Sequence, residues 1–411
     1  MMEKRVAIIG GGAAGCFCAI EIKRLHPTWM VTVYEAATKL LAKVAVTGGG
    51  RCNLTNSFRT CLDDRGRLIN LQSIYPRGDK LMRKVLSRFS HVDTYEWFEN
   101  EGVKLVTQDD ECVFPVSQDA MEIVRTLTRN MYNLGVKVSL KSRVTSIVPN
   151  NKDDGYVIEP FGEYYNSVVV TTGGSPKTSG LAFLDALNLD IVSPVPSLFT
   201  FNIDGSQNAL LMGTVVENVT VSLAGTKHKA HGPLLWTHWG VSGPAILKLS
   251  SYAARDLAAT DYKGTLIVNW YGDAKEQVVR EKLEKMMREQ SQKKVSNVYP
   301  TRLTQKHWNV LLDCCSIPQT QRWGALNATH VNRLVSVLTS QQLVITGRNK
   351  WKEEFVTCGG VSLTNINPKT LACRQYPGVF FAGEVLDIDA VTGGYNLQAA
   401  WSTARMCAEN I

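Results

Sequence analysis

Gly10, Gly12 and Gly15 stand at G-x-G-x-x-G spacing directly after the apolar run Val6-Ala7-Ile8-Ile9. Glycines in this pattern let backbone N–H groups close on an anion. Gly10 permits a tight turn, Gly12 lets a phosphate approach the backbone, and Gly15 lets the next helix pack on the strand. Ala14 lies in the same turn. The helix N-terminus offers unpaired N–H groups and about half a positive charge. Glu35 follows Gly15 by 20 residues and closes a second run, Val31-Thr32-Val33-Tyr34. A carboxylate there is placed to accept bonds from ribose hydroxyls. Strand, glycine turn, helix, strand and acid, in that order, predict a dinucleotide site.

Two further segments have the composition of cofactor loops. Gly48-Gly49-Gly50-Arg51-Cys52-Asn53-Leu54-Thr55-Asn56 joins three glycines to a cation and short polar side chains. The glycines permit backbone paths closed to other residues, and Arg51 adds a fixed cationic fork. Near the other end, Gly383-Glu384 follows the apolar run Phe380-Phe381-Ala382, and Gly393-Gly394 precedes a helix predicted over Ala399–Ala408. N–H groups at that second helix start could stabilise negative charge on a reduced flavin ring. Together with the first motif this predicts FAD rather than NAD, with one end of the chain on the adenine half and the other on the isoalloxazine half.

Two residues are candidate acids. Cys52 lies beside Arg51, and a nearby cation would lower its pKa. His238 stands between Thr237 and Trp239. Each has a structural alternative, Cys52 as a packing thiol and His238 as an ordinary structural histidine. The ten cysteines include no C-x-x-C pair and no zinc-spaced Cys/His cluster, which predicts that most are small buried thiols in a reducing cytoplasm.

The elements that must position these residues need more than one core. A chain of 411 residues with 44% hydrophobic and 20% charged residues predicts two or three globular domains. No apolar run approaches the ~18 residues of a membrane span, and neither a signal peptide nor a membrane anchor is expected. The net charge of +8 favours polyanionic partners. The excess concentrates in residues 59–88, where eight Lys/Arg face three Asp. Arg77, Lys80, Lys84 and Arg88 would share one face of a helix. That face is either a nucleic-acid footprint or a solvated surface.

The first βαβ unit spans residues 1–35. Residues 39–57 read as a cofactor loop. Helices are predicted over Asp79–Gly102 and Ala120–Leu134, with short strands at Val103–Val106 and Val136–Leu140. A meander is predicted over Val144–Val148, Gly155–Ile158 and Glu163–Val170. Pro194 and Pro196 mark a boundary. Beyond them Phe199–Ile203, Thr214–Leu223 and Gly264–Trp270 predict a barrel or sandwich, with a helix over Ala245–Ala254. Residues 274–292, Leu303–Cys315 and Val331–Leu343 predict further helices, before the chain returns to strand at Val344. The resulting division is 1–193, 194–272, 273–343 and 344–411.

The strings VTGGGRCNLTN, THWGVSGPAILKLS, VTCGGVSL and GVFFAGEVLDIDAVTGGYNLQAAWSTA resemble the aminoacetone-oxidase-like, bile-acid-operon-reductase-like family of FAD flavoproteins. That family includes ribosomal RNA dihydrouridine synthases. The resemblance spans nearly the whole chain. It implies an α/β fold of two-dinucleotide-binding-domain, Rossmann-like type, with an inserted β-barrel domain and a small helical subdomain. It also implies that FAD is bound by Gly10, Gly12, Gly15, Glu35, the Thr47–Asn53 loop (Thr47, Gly49, Gly50, Arg51, Asn53), Thr172, Gly173, Gly174, Gly383, Glu384, Gly393, Gly394, Asn396 and Leu397. The chain departs from the family pattern after Thr171–Pro176 and at Thr370–Arg374.

No second G-x-G-x-x-G marks a nicotinamide domain, so NAD(P)H is expected only as a transient donor. Three readings follow. The first is reduction of a uracil ring in large-subunit ribosomal RNA, with hydride to C6 and a proton to C5. The basic segment 59–88 would dock the RNA, and binding would weaken as salt rises. The second is a small-molecule oxidase or ene-reductase acting on an aminoketone or steroid-like enone. The third is a non-catalytic, FAD-dependent RNA-binding factor.

Overall fold

The computed structural model describes residues 4–150, 155–205, 207–349 and 356–411. The chain forms two compact units, one from Met1–Val195 and Val356–Ile411, the other from Pro196–Phe355.

The first unit is built on a five-stranded parallel sheet in the order Val379–Phe381, Ser167–Val170, Arg5–Ile9, Met30–Tyr34, Lys137–Ser139. Its central strands read as continuous apolar runs because both faces are covered. The helix Ala13–Leu25 buries Phe17, Cys18 and Ile20. Phe17 packs on Trp97 and on Trp401 of the terminal helix Tyr395–Asn410, with ring centres 4.8 and 5.5 Å apart. Among the described residues two three-stranded antiparallel sheets and the two-stranded pair of Ile191–Ser197 with Val356–Val361 accompany it.

Several elements differ from the sequence reading. The helix expected over Asp79–Gly102 is two, Asp79–Leu86 and His91–Asn100. Ser90 starts the second with a capping box, in which Ser90 Oγ accepts from Asp93 N and Asp93 Oδ2 accepts from Ser90 N. The strand expected over Glu163–Val170 changes sheet at Asn166. Glu163–Tyr165 ends an antiparallel meander, and Ser167–Val170 joins the parallel sheet. Residues 39–57 include a helical segment, Ala42–Gly50, broken at Thr47 by ψ 150°.

The second unit contains a closed six-stranded barrel, in the order Phe201–Ile203, Gly240–Ser242, Lys229–Thr237, Val215–Leu223, Gly264–Asn269, Gln341–Arg348. Phe201–Ile203 pairs with both Gly240–Ser242 and Gln341–Arg348, which closes the ring. The boundary expected at residue 344 thus falls inside a barrel strand. Its alternating burial, with Leu343 and Ile345 inward and Val344 outward, is what ties it to the barrel. Helices Glu276–Glu289, Gln305–Cys314 and Ala328–Ser340 belong to this unit, and Trp236, Trp270, Trp308 and Trp323 are buried in it.

His307 is wholly buried there, 4.3 Å from the Trp270 ring centre, and neither ring nitrogen has a protein partner. Burial pushes its pKa down to about 4. Between pH 6.5 and 4 the unfolded chain therefore binds a proton that the folded chain refuses. Stability is untouched above pH 6.5 and falls as pH drops through that window, by about 3 kcal/mol in total. His307→Phe is expected to flatten this part of the stability–pH curve. An unchanged curve would mean that His307 is solvated in solution.

Candidate functional site

Four strand ends align in the first unit. Ile9 is in register with Tyr34 and Val170, and Val170 with Phe381. The turns that follow, at Gly10–Gly12, Glu35, Thr171–Gly174 and Ala382–Glu384, leave the carboxyl edge of the sheet side by side. Open α/β sheets take their ligands at this edge.

The three glycines of the first turn have different reasons to be glycine. Gly10 has φ +108°, and a Cβ there would lie 2.6 Å from Thr171 O. A Cβ on Gly15 would lie 1.9 Å from Gly10 O. Packing of the chain on itself demands both. A Cβ on Gly12 would meet nothing within 4 Å. Gly12 is also the N-cap of its helix and makes no side-chain cap, so no capping side chain occupies the first-turn N–H groups. Glu35 is held at the strand end by two backbone donors, Gly11 N to Oε2 and Ala37 N to Oε1, each at 2.7 Å. Each oxygen keeps a lone pair for a further donor.

The C-terminal turn seats directly against the first. Gly383 has φ +75°, and a Cβ there would come within 3.1 Å of Ala14 Cβ. Ala14 is therefore a packing residue, and its methyl sets the spacing of the two turns. Glu384 accepts from Thr357 N at 2.8 Å and pairs with Lys43 at 3.4 Å. Gly174 lies so close that its Cβ would be 2.6 Å from Glu384 Oε1. Thr172 is exposed beside it, and Gly173 turns the chain at φ +74°.

The loop from Thr47 closes on the second glycine turn. Gly48, Gly49 and Gly50 all have positive φ, and a Cβ on Gly49 or Gly50 would meet nothing within 4 Å. Asn53 accepts from Gly394 N at 3.1 Å and donates to Thr55 O at 2.9 Å. Asn56 Nδ2 donates to Gly393 O at 3.0 Å. Gly394 has φ +88°, and a Cβ would strike Thr55 O at 2.3 Å. Segments some 340 positions apart in sequence are thus locked together. Leu397 packs on the core of this unit. The Asn396 amide donates to Ala390 O and accepts from Ala390 N, both at 2.9 Å. These bonds shape the loop and leave one amide hydrogen and one oxygen lone pair for a further partner.

The candidate acids stand differently from expectation. Cys52 is fully buried, and burial pushes its thiol up to about 12 rather than down. The expected cation is directed away from it. Arg51 stacks 4.4 Å from the Phe114 ring and donates to Gly48 O and Gln118. Cys52 is a packing thiol by this geometry. His238 is exposed in the turn between two barrel strands of the other unit, edge-on to Trp239 at 4.5 Å.

The basic face is also rearranged. Only Lys80, Arg83 and Lys84 lie on the helix Asp79–Leu86, and they are exposed, as is Arg88 beyond it. Arg77 precedes the helix and is mostly buried in a two-pronged pair with Asp389. Sequence reasoning missed this pair, although Asp389 stands out as an acid among apolar residues. It also missed Gln398, which is wholly buried and joins Thr55 to Ser402. A Gln and a Ser four apart on an apolar helix face were the available signal.

A cavity of about 700 Å³ in the second unit is lined by Glu217, His231, Tyr271, Asp273 and Arg302. It contains none of the residues singled out above. Lys229 already pairs with Asp273 beside it.

The turns at the sheet edge fit a dinucleotide. Open space lies over Gly12, Gly49 and Gly50, no capping side chain occupies the helix start at Gly12, and Glu35 is fixed beside it. The family profile described as HI0933-like protein Rossmann domain matches residues 4–410. The chain is similar to a ribosomal RNA dihydrouridine synthase of Haemophilus influenzae, at 26% identity over 416 aligned positions covering 98% of this chain and 97% of that protein. It is similar to a 3-dehydro-bile acid delta(4,6)-reductase of Clostridium scindens, at 26% over 416 positions and 97% of each chain. An Escherichia coli ribosomal RNA dihydrouridine synthase matches at 26% over 424 positions, covering 98% of this chain and 97% of that protein. Among the described residues no helix is long and apolar enough to cross a membrane.

Proposed function

The chain belongs to the HI0933-like Rossmann family of FAD-dependent oxidoreductases, and from this premise we propose that it reduces a uridine of large-subunit ribosomal RNA to dihydrouridine in the cytoplasm. The observation that carries the proposal is the position of the basic segment. Residues 71–86 pack on the second glycine loop, with Val391 N donating to Ile74 O at 2.9 Å and Tyr75 Oη to Tyr395 O at 2.9 Å. Lys80, Lys84 and Arg88 are exposed on and just beyond this segment, and in this reading they are the cations that dock the RNA. A polyanion docked on them has its bases within the same unit as the cofactor.

FAD would be held by the Gly10–Gly15 turn at its pyrophosphate, by Glu35 at its ribose, and by the Thr47–Asn53, Thr172–Gly174, Gly383–Glu384 and Gly393–Leu397 segments toward the ring. It supplies a two-electron carrier, recharged by a transient NAD(P)H. Saturating the uracil C5=C6 bond adds a hydride equivalent at C6 and a proton at C5. The names of the relatives share this chemistry, since uracil and an unsaturated 3-keto steroid each have a C=C bond conjugated to a carbonyl. The chain's own part is to dock the phosphates, admit a splayed base and exclude water.

The test is anaerobic. The photoreduced protein is mixed with unmodified large-subunit ribosomal RNA fragments, and flavin absorbance and dihydrouridine are followed together. Rapid reoxidation with dihydrouridine formed is expected, and Cys52→Ala is expected to keep that rate because the thiol is wholly buried and a weak acid, pushed up to about 12. Should the flavin stay reduced with RNA but reoxidise with a small enone or with oxygen, the substrate is a small molecule. RNA binding without any redox change would favour a non-catalytic factor.

A further inference from the structure

The loop 388–394 is held at almost every residue. Ile388 packs under Gly78, whose φ of +80° leaves no room for a Cβ, which would lie 2.6 Å from Ile388 Cγ1. Ala390 is clamped by Asn396 and Val391 is bonded to Ile74. Gly393 and Gly394 are bonded to Asn56 and Asn53. Asp389 is held by charge. Its side chain is 0% exposed, and Arg77 Nε donates to Oδ1 at 2.5 Å while Nη2 donates to Oδ2. The two backbones also pair as an isolated antiparallel bridge.

Stability alone does not account for a buried ion pair at this point. Apolar residues of equal volume usually serve folding as well or better. What a two-pronged guanidinium–carboxylate pair adds is a fixed relative geometry. Here it fixes the start of the loop that ends at the N-terminus of the helix Tyr395–Asn410.

We propose that Arg77 and Asp389 are positioning residues for the FAD site, setting the path of residues 389–394 so that the Gly393–Gly394 backbone meets the cofactor. The inference rests on the flavin role given above to the second glycine loop. Arg77 is then removed from the set of cations that would dock RNA.

The test uses the full chain with Arg77→Lys, Asp389→Asn and the double variant Arg77→Met/Asp389→Leu. Melting of the apoprotein, FAD affinity by fluorescence titration, and the midpoint potential of bound flavin are measured. Arg77→Lys keeps the charge and loses the fork. It is expected to melt close to wild type, bind FAD about tenfold more weakly and shift the potential. The double variant is expected to melt at or above wild type with the same FAD defect, and it decides the matter if a single variant fails to fold. Wild-type affinity and potential in Arg77→Lys and in the double variant, alongside a defect in Gly12→Ala, would overturn the inference alone. Wild-type FAD binding in Gly12→Ala and Gly394→Ala as well would overturn the reading it rests on.

Discussion

Gly12→Ala is expected to leave the melting temperature of the apoprotein unchanged and to weaken FAD binding by about ten- to a hundredfold. Gly12 has φ −82° and ψ −164°, an extended conformation that alanine adopts without strain. The added methyl meets no atom of the chain within 4 Å, so folding has no reason to register it. A ligand pressed against the backbone does. One misplaced methyl in a tight contact costs about 1–3 kcal/mol, which converts to the stated loss of affinity. Gly15→Ala makes the contrast. Its methyl would lie 1.9 Å from Gly10 O and 2.7 Å from Thr171 Oγ1. Strand and helix must separate, so melting temperature and FAD affinity should fall together. Calorimetry of the two apoproteins with FAD titration of each separates the cases. Unchanged affinity in Gly12→Ala would remove the pyrophosphate from this turn.

Glu21→Ala is expected to destabilise the first unit by about 3 kcal/mol. Glu21 is 1% exposed on the helix Ala13–Leu25. Its Oε1 accepts from Trp97 Nε1 at 2.8 Å and from Arg24 at 3.2 Å, and its Oε2 pairs with Arg405. One carboxylate thus joins three helices around the Phe17–Trp97–Trp401 cluster. Truncation orphans a buried indole N–H, which costs about 1–3 kcal/mol by itself. It also breaks a buried pair, which costs more, up to about 5 kcal/mol where the remaining charge is fully buried. Arg24 and Arg405 are about one-third exposed and retain Glu101 and Glu409, which keeps the figure near the lower end. Glu21→Gln retains an acceptor for Trp97 and should lose less. The urea transition of each variant, read by tryptophan fluorescence, gives the values. A shift under about 0.5 kcal/mol in Glu21→Ala would show that surface water replaces the network.

Much of the site was legible because its chemistry is local. A phosphate-binding turn needs a positive φ at Gly10, bare backbone at Gly12 and close packing at Gly15, so the spacing of the three announces it. The same holds for the positive φ at Gly48, Gly49 and Gly50 and at Gly393 and Gly394. Charge and titration were legible only in part. Arg51 beside Cys52 suggested an acidified thiol, whereas the structure stacks Arg51 on Phe114 and buries Cys52. Adjacent residues on an irregular loop point in different directions, and desolvation depends on what the rest of the chain places around a group.

By itself the sequence determined the opening strand, glycine turn, helix and second strand with its acid, and the presence of a β-rich insertion. Periodicity, glycine spacing and strand-end carboxylates are properties of short segments, and they survive without tertiary context. Tertiary structure alone decided which distant segments share the site. It set Gly383 against Ala14 and Asn53 against Gly394, and it turned Arg77 from a surface cation into the partner of Asp389. Such pairings are fixed by sheet register and helix packing summed over hundreds of residues, and no local pattern encodes them.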